Sequence, residues 1–282
     1  MTRRQTFRLY PNKAQEKALL GARRLHCYLY NACVSHRQTE YKLGNKSVDY
    51  YTQQNALPAF KKEWVEFAAL NSQALQGTVK RVDLAYQSFF TGQRGKPRFK
   101  SIRHYSGWTY TSFTGWKSNS EGHHGTVTLN DLGITLKMRG QAKEWAKPGT
   151  LTIAYKPVKR QWFASFTVEV EATRAKFGSD SDLSYESLVT YDLGCETAIT
   201  LFDGTEFDEI ENPRFSHAND VKVRKVAKLK RRKRAPKRGV KASRRWKKIN
   251  QRESNLKAKV ARRRKDWQHQ VTSDIARRYD IG

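Results

Sequence analysis

One short run in this 282-residue sequence has the residue types and spacing of a reaction centre. Residues 188–191 read as a strand leading into Asp192-Leu193-Gly194, residues 198–202 read as a second strand, and Asp203-Gly204 is a hairpin turn into a third at 205–210. A carboxylate carried by the first strand of such a sheet can bridge two Mg²⁺ ions, which activate water and stabilise a leaving oxygen. Asp192 is therefore the candidate catalytic and metal-binding residue. The motif is weakly specific on its own, because an Asp at a strand end is commonly a turn or cap residue.

RNase H-like nucleases, sugar kinases and actin-like ATPases all open a sheet with such an Asp, so the motif alone leaves the chemistry open. Other ligand sets are poorer. His123-His124 lies in a Gly-bounded turn with no Cys or carboxylate pair at ligand spacing. Cys27, Cys33 and Cys195 form an odd, scattered set without a C-x-x-C pair, so no zinc site is expected in this chain and a reducing compartment is. Cys27 and Cys33, six apart on a helix, read as buried small residues.

The charge points to a partner. Fifty-five Lys and Arg against 26 Asp and Glu leave +29, with a pI near 10.2, and that excess requires a polyanion. Residues 221–282 hold 25 Lys and Arg against 4 Asp and Glu. The density there is too great for an ordinary solvated face, so nucleic acid is the expected partner. Lys222, Lys228, Arg231, Arg232, Arg234, Arg244, Arg245, Lys248, Arg262, Arg263 and Arg264 are the candidate phosphate contacts, positioning a duplex without reading its sequence. Trp246 and Trp267 either stack on bases or pack with Ile249 and Val260. Tyr105, Trp108, Tyr110, Phe113 and Trp116, set among Arg103, His104 and Lys117, either form a stacking platform or alternate between barrel core and surface. A membrane is not expected: no apolar run approaches ~20 residues, and the basic Met1–Phe7 opening lacks the apolar stretch of a secretory signal. The expected location is the cytoplasm, on the nucleoid.

Several elements must position these groups. Residues 4–9 alternate as a strand closed by Tyr10-Pro11. Asn12 with Gln15 is a capping-box variant, and Ala18, Leu19, Ala22, Leu25, Leu29 and Ala32 recur at helical spacing. A second helix is expected over 72–90, its stripe made of Leu75, Val79, Val82, Tyr86 and Phe89/Phe90. Five β segments follow at 108–113, 126–129, 133–138, 151–155 and 162–169, spaced as in an antiparallel barrel or sandwich. Residues 177–184 are small and polar and read as a linker. Beyond the hairpin, a basic helix at 221–234 is broken by Ala235-Pro236-Lys237-Arg238-Gly239. Ser243 caps another, whose apolar face is Trp246, Ile249, Leu256, Val260, Trp267, Val271 and Ile275.

Taken in order, these blocks resemble the TnpB/OrfB family of insertion-sequence transposases. Phe7-Arg8-Leu9-Tyr10-Pro11-Asn12-Lys13-Ala14-Gln15 is similar to its N-terminal signature, and Tyr30-Asn31 to its aromatic-Asn pair. Leu84-Ala85-Tyr86-Gln87-Ser88-Phe89-Phe90 with Lys96-Pro97-Arg98-Phe99-Lys100 resembles the next block. Tyr191-Asp192-Leu193-Gly194, Phe202-Asp203-Gly204 and Ile210-Glu211-Asn212-Pro213-Arg214 resemble the first RuvC block, with Thr190 where the family has a small residue.

The resemblance implies an α+β protein. Its wedge-like N-terminal β-barrel (1–176) is interrupted by a helical recognition lobe at about 12–100. A linker (177–184) and a partial RNase H-like (RuvC) α/β domain with long basic helices (185–282) follow. It further implies that a guide RNA from the transposon end and a DNA target are partners, that Asp192 is the first of three catalytic carboxylates, and that Mg²⁺ is the cofactor of the completed site. The Ile275–Gly282 run resembles the approach to the second RuvC strand, so the remaining carboxylates and the family's zinc ribbon are expected beyond it. The expectation is then a chain without complete nuclease chemistry. It would be a transposon-associated RNA- and DNA-binding protein, a nuclease-dead RNA-guided regulator, or a non-functional transposase fragment.

Overall fold

A computed structural model of the chain describes residues 1–157, 159–170 and 189–279. The linker expected at 177–184 lies outside the described residues. The chain divides into two compact units near residue 173.

The first unit begins with β1 (Thr2–Tyr10), whose alternate residues Phe7 and Leu9 are buried while their neighbours are not. Pro11 stops the strand, and Asn12 caps α1 (Lys13–Gly44) through the reciprocal box with Gln15, Oδ1 of Asn12 accepting from the Gln15 amide at 2.9 Å. Three further helices follow: α2 (Tyr50–Asn55), α3 (Leu57–Glu63) and α4 (Ser72–Phe90), the last capped by Asn71. Leu75, Val79 and Val82 of α4 are buried, each contributing roughly 1.5–3 kcal/mol by the area it removes from water.

The chain then makes β2 (Gly107–Tyr110), β3 (Trp116–Ser118), β4 (Gly125–Leu129), β5 (Ile134–Arg139), β6 (Pro148–Lys156) and β7 (Gln161–Glu169). All pairings are antiparallel, in the order β2-β6-β7-β1-β5-β4-β3. The strands at the two ends of this order, β2 and β3, are successive in the chain and joined by only residues 111–115. The seven-stranded sheet is therefore nearly closed, its interior filled by Trp108, Trp116, Leu136, Ile153, Trp162 and Phe166. Phe166 touches rings on both flanks, Phe7 at 5.7 Å and Trp116 at 5.5 Å between centroids.

Sequence periodicity located five of the six strands after α4 and missed β3, which is three residues long in a Ser/Thr/Gly-rich stretch. Of the two readings of the aromatic cluster at 105–116, burial favours the barrel core over the stacking platform. Tyr105, Trp108, Tyr110 and Trp116 are buried and hold the core; of the five rings only Phe113 is exposed. Cys27 and Cys33 are buried, as expected.

Polar groups pin the helices. Arg37 of α1, buried, meets Asp83 of α4 at 3.2 Å and donates to Gln53 of α2 at 3.0 Å. Removing one partner of such a buried pair costs about 3–5 kcal/mol. Asp131, whose carboxyl is pushed up by burial, accepts from the Tyr110 hydroxyl at 2.9 Å and from the Asn71 amide at 3.1 Å. It thus joins the barrel wall to the first turn of α4.

The second unit holds β8 (Thr190–Leu193), β9 (Thr197–Phe202) and β10 (Phe207–Glu211) in an antiparallel order β10-β9-β8, then α5 (His217–Arg231) and α6 (Arg244–Arg278). No helix among the described residues is long and apolar enough to cross a membrane.

Candidate nucleic-acid interface and carboxylate site

The sheet that carries Asp192 is built by two tight connections. Gly194 ends β8 where a Cβ would stand 2.5 Å from the Thr197 carbonyl oxygen, so only glycine permits the return into β9. Asp203 makes the second: its Oδ1 accepts from the Thr205 amide, the Thr205 hydroxyl and the Glu206 amide, each at 2.8 Å. Those backbone donors, Glu206 first, hold the Asp203 carboxyl down to about 2. Asp203 is thereby a turn-former, and the reactive candidate is Asp192 alone.

Asp192 lies opposite Thr200, and Thr200 opposite Glu209, so the three side chains share one face of the sheet in one row. Two strand spacings separate the carboxylates by roughly 10 Å. Asp192 is exposed, as is Glu209. Among the described residues no three His, Cys, Asp or Glu gather at metal-ligand distance. The residues present fit one ligand position on an open face, and they do not enclose an ion.

The opposite face meets the last helix at an ion pair. Leu201 is buried there, and Asp208, on the same side, pairs with Arg278 at the end of α6 at 2.8 Å. Asn212 fixes the segment before α5 by donating to the Cys195 carbonyl at 2.9 Å and accepting from the Arg214 amide at 3.1 Å. Phe215 packs edge-on to Trp267 at 6.3 Å, and Arg264 donates to the Ser216 hydroxyl at 2.8 Å. The Asn-Pro-Arg block and the last helix are thus tied to the loop that follows Asp192.

Helix α6 begins at Ser243, whose hydroxyl accepts from the Trp246 amide at 3.1 Å. Its stripe of Trp246, Ile249, Leu256, Val260, Trp267, Val271 and Ile275 is half-buried throughout, and Val226 is the buried residue of α5. Trp267 therefore packs, on Phe215, and the Trp246 ring lies 5.9 Å from Lys230 Nζ. Glu253 interrupts the stripe. It is buried between Lys230 and Lys257, whose hydrogen bonds keep its carboxyl below the usual range.

All eleven cations singled out in the sequence are exposed, on α5, α6 and the connection between them. Among the described residues, of the eleven only Arg264 is engaged by another side chain, the neutral Ser216, and none pairs with an acid. Of the acids nearby, Asp220, Glu253, Asp208 and Asp274 are taken by Arg224, Lys230, Lys257 and Arg278, and Asp266 accepts from Gln270. Sequence reasoning missed that division of labour, and it also missed Glu209, whose place two strands away in the same row as Asp192 depends on strand register.

Residues 165–281 match a family model described as "Probable transposase", OrfB of IS605. The chain is 26% identical over 280 residues to "Putative RNA-guided DNA endonuclease InsQ" of Escherichia coli strain K12, covering 97% of this chain and 63% of that protein. It is also 26% identical over 281 residues to "Putative RNA-guided DNA endonuclease" of Streptomyces pristinaespiralis, covering 96% and 63%. The chain thus spans 63% of the length of both relatives. Among solved structures, that of a Cas12f1–sgRNA–target DNA complex superposes with a TM-score of 0.60 at 11% identity, covering 94% of this chain and 62% of that one. That likeness is one of fold.

Proposed function

The chain belongs to the TnpB/OrfB family of insertion-sequence proteins, and on that premise we propose that it binds a guide RNA and a DNA target as the nucleic-acid-holding part of an RNA-guided endonuclease. One observation carries the reading: eleven exposed cations, without acidic partners among the described residues, lie on and between α5 and α6, and α6 is tied by Phe215–Trp267 to the segment before α5 and by Arg278–Asp208 to the sheet that presents Asp192.

In this reading the three-stranded sheet is the opening of an RNase H-like domain. The Lys and Arg residues of α5 and α6 hold phosphates, releasing counterions as they do so. Asp192 would give one oxygen ligand to Mg²⁺, and the ion, its other ligands supplied from outside the described residues, would supply the activation of water at a scissile phosphate. Arg278 and Asn212 keep the sheet and its connection fixed while a strand is bound. The N-terminal sheet and helices correspond to the wedge and recognition lobe.

The test is to express the chain with flanking transposon DNA, purify it and sequence what co-purifies. A discrete RNA from one transposon end supports the reading. Bulk cellular RNA without enrichment, or none, would overturn it.

A further inference from the structure

Outside the basic helices, the first unit has a cavity of about 380 Å³ between the C-terminal ends of α1 and α4 and the segment after α1. That volume lies within the range of small-ligand sites, roughly 300–1,000 Å³. Its walls combine two kinds of residue. Tyr41 and Phe90 present rings that are 62% and 72% exposed. Phe90 is flanked by Phe89 at 5.4 Å and by Tyr86 at 6.1 Å, tilted by 48° and 39°, so the rings form one aromatic cluster whose exposed member is Phe90.

The second kind is cationic. Lys42, Lys46 and Lys96 line the cavity, all exposed and none in an ion pair among the described residues, and no Asp or Glu lines it. Arg37 sits behind, its guanidinium 5.1 Å from the Tyr86 ring and its charge already matched by Asp83. The Tyr86 hydroxyl is buried beside Gln38 at the floor.

Flat apolar rings ringed by unpaired ammonium groups, with polar atoms at the base, complement a planar heterocycle carrying phosphates. We propose that this cavity takes an unpaired nucleotide of a single-stranded segment. Its base stacks on Phe90 and Tyr41, and its flanking phosphates meet Lys42, Lys46 and Lys96. The inference rests on the nucleic-acid reading above and adds a site remote in sequence from α5 and α6.

Fluorescence anisotropy on the full chain tests it, using a 12-nucleotide RNA, the DNA strand of the same sequence, and the corresponding duplex. Phe90→Ala should weaken single-strand binding about tenfold and leave duplex binding unchanged, while Phe90→Trp restores it. Phe90 is exposed at a helix end, so the variant should fold; an unaltered circular dichroism spectrum checks that. A 5-iodouridine strand should crosslink to Tyr41 or Phe90. Loss confined to RNA names RNA as the source of the nucleotide, and loss confined to DNA names DNA. If the wild type binds but Phe90→Ala weakens nothing, or weakens duplex equally, the cavity assignment falls while the nucleic-acid reading stands. If the wild type binds no strand, both fall.

Discussion

Asn31 grips Lys100 with both ends of its amide: Nδ2 donates to the Lys100 carbonyl at 2.9 Å, and Oδ1 accepts from the Lys100 amide at 2.8 Å. The neighbouring Tyr30 ring lies 4.4 Å from Lys100 Nζ. Two motif blocks 69 residues apart are therefore one structural unit, and α1 holds the segment that leads from α4 into the barrel. Asn31→Ala removes both bonds, leaving the half-buried Lys100 amide unpaired and its carbonyl to the Cys27 thiol at 3.3 Å, so we expect a loss of about 2 kcal/mol in urea unfolding. A change below about 0.5 kcal/mol would mean that the clamp contributes nothing net.

Burial, reinforced by the charge of Arg81, holds His26 down to about 3, where it bonds Thr78 at 2.8 Å and stacks on Trp108 at 5.2 Å. The unfolded ring takes a proton near 6.5 and the folded ring does not until about 3, so between these values the unfolded state binds more protons. Stability from this source is complete above pH 6.5 and is lost progressively as pH falls toward 3. His26→Gln keeps a polar partner for Thr78 and removes the titration. Its unfolding free energy should therefore vary less than that of the wild type between about pH 6.5 and 4.5, above most carboxyl titrations. Identical slopes would contradict the assignment.

The three thiols should separate cleanly. Cys33 is buried and its thiol pushed up to about 12, Cys27 is raised by burial, and Cys195 is exposed in the turn after Asp192. At pH 8 a thiol reagent should modify one Cys per native chain at once and all three after denaturation. Rapid modification of three in the native chain would show that α1 does not pack as described.

Electrostatics on α6 gives a graded prediction. Duplex affinity should fall with salt at a log–log slope near 0.9 per phosphate contacted, and neutralising Arg244, Arg245 and Lys248 together should lower that slope by about 2–3. Asp192→Ala should leave both affinity and slope unchanged, because one exposed carboxylate holds no phosphate. A slope unaltered by the triple substitution would remove α6 from the interface.

Local features were legible because local rules govern them. The Asn12–Gln15 box, the limits of α4, the Asp203-Gly204 turn and the apolar stripe of α6 follow from caps, turn chemistry and helical period. The order β2-β6-β7-β1-β5-β4-β3 was not legible, since β1 lies between β7 and β5 through pairings that no local pattern encodes. Arg37 and Arg23 were also hidden: a cation reads as surface until Asp83, or the Tyr105 carbonyl at 2.8 Å, is seen to meet it. Asp192 was found by motif, whereas Glu209 on its face needed the register.

The most direct test is guided binding. The chain, purified with its co-transcribed RNA, is titrated in Mg²⁺ against DNA duplexes that match or mismatch that RNA, each with partly opened strands, at fixed salt. The account predicts markedly tighter binding to the matched target, with the preference lost when the RNA is digested. Equal affinity for matched and mismatched DNA, before and after digestion, would contradict it and leave only a basic surface that binds any duplex.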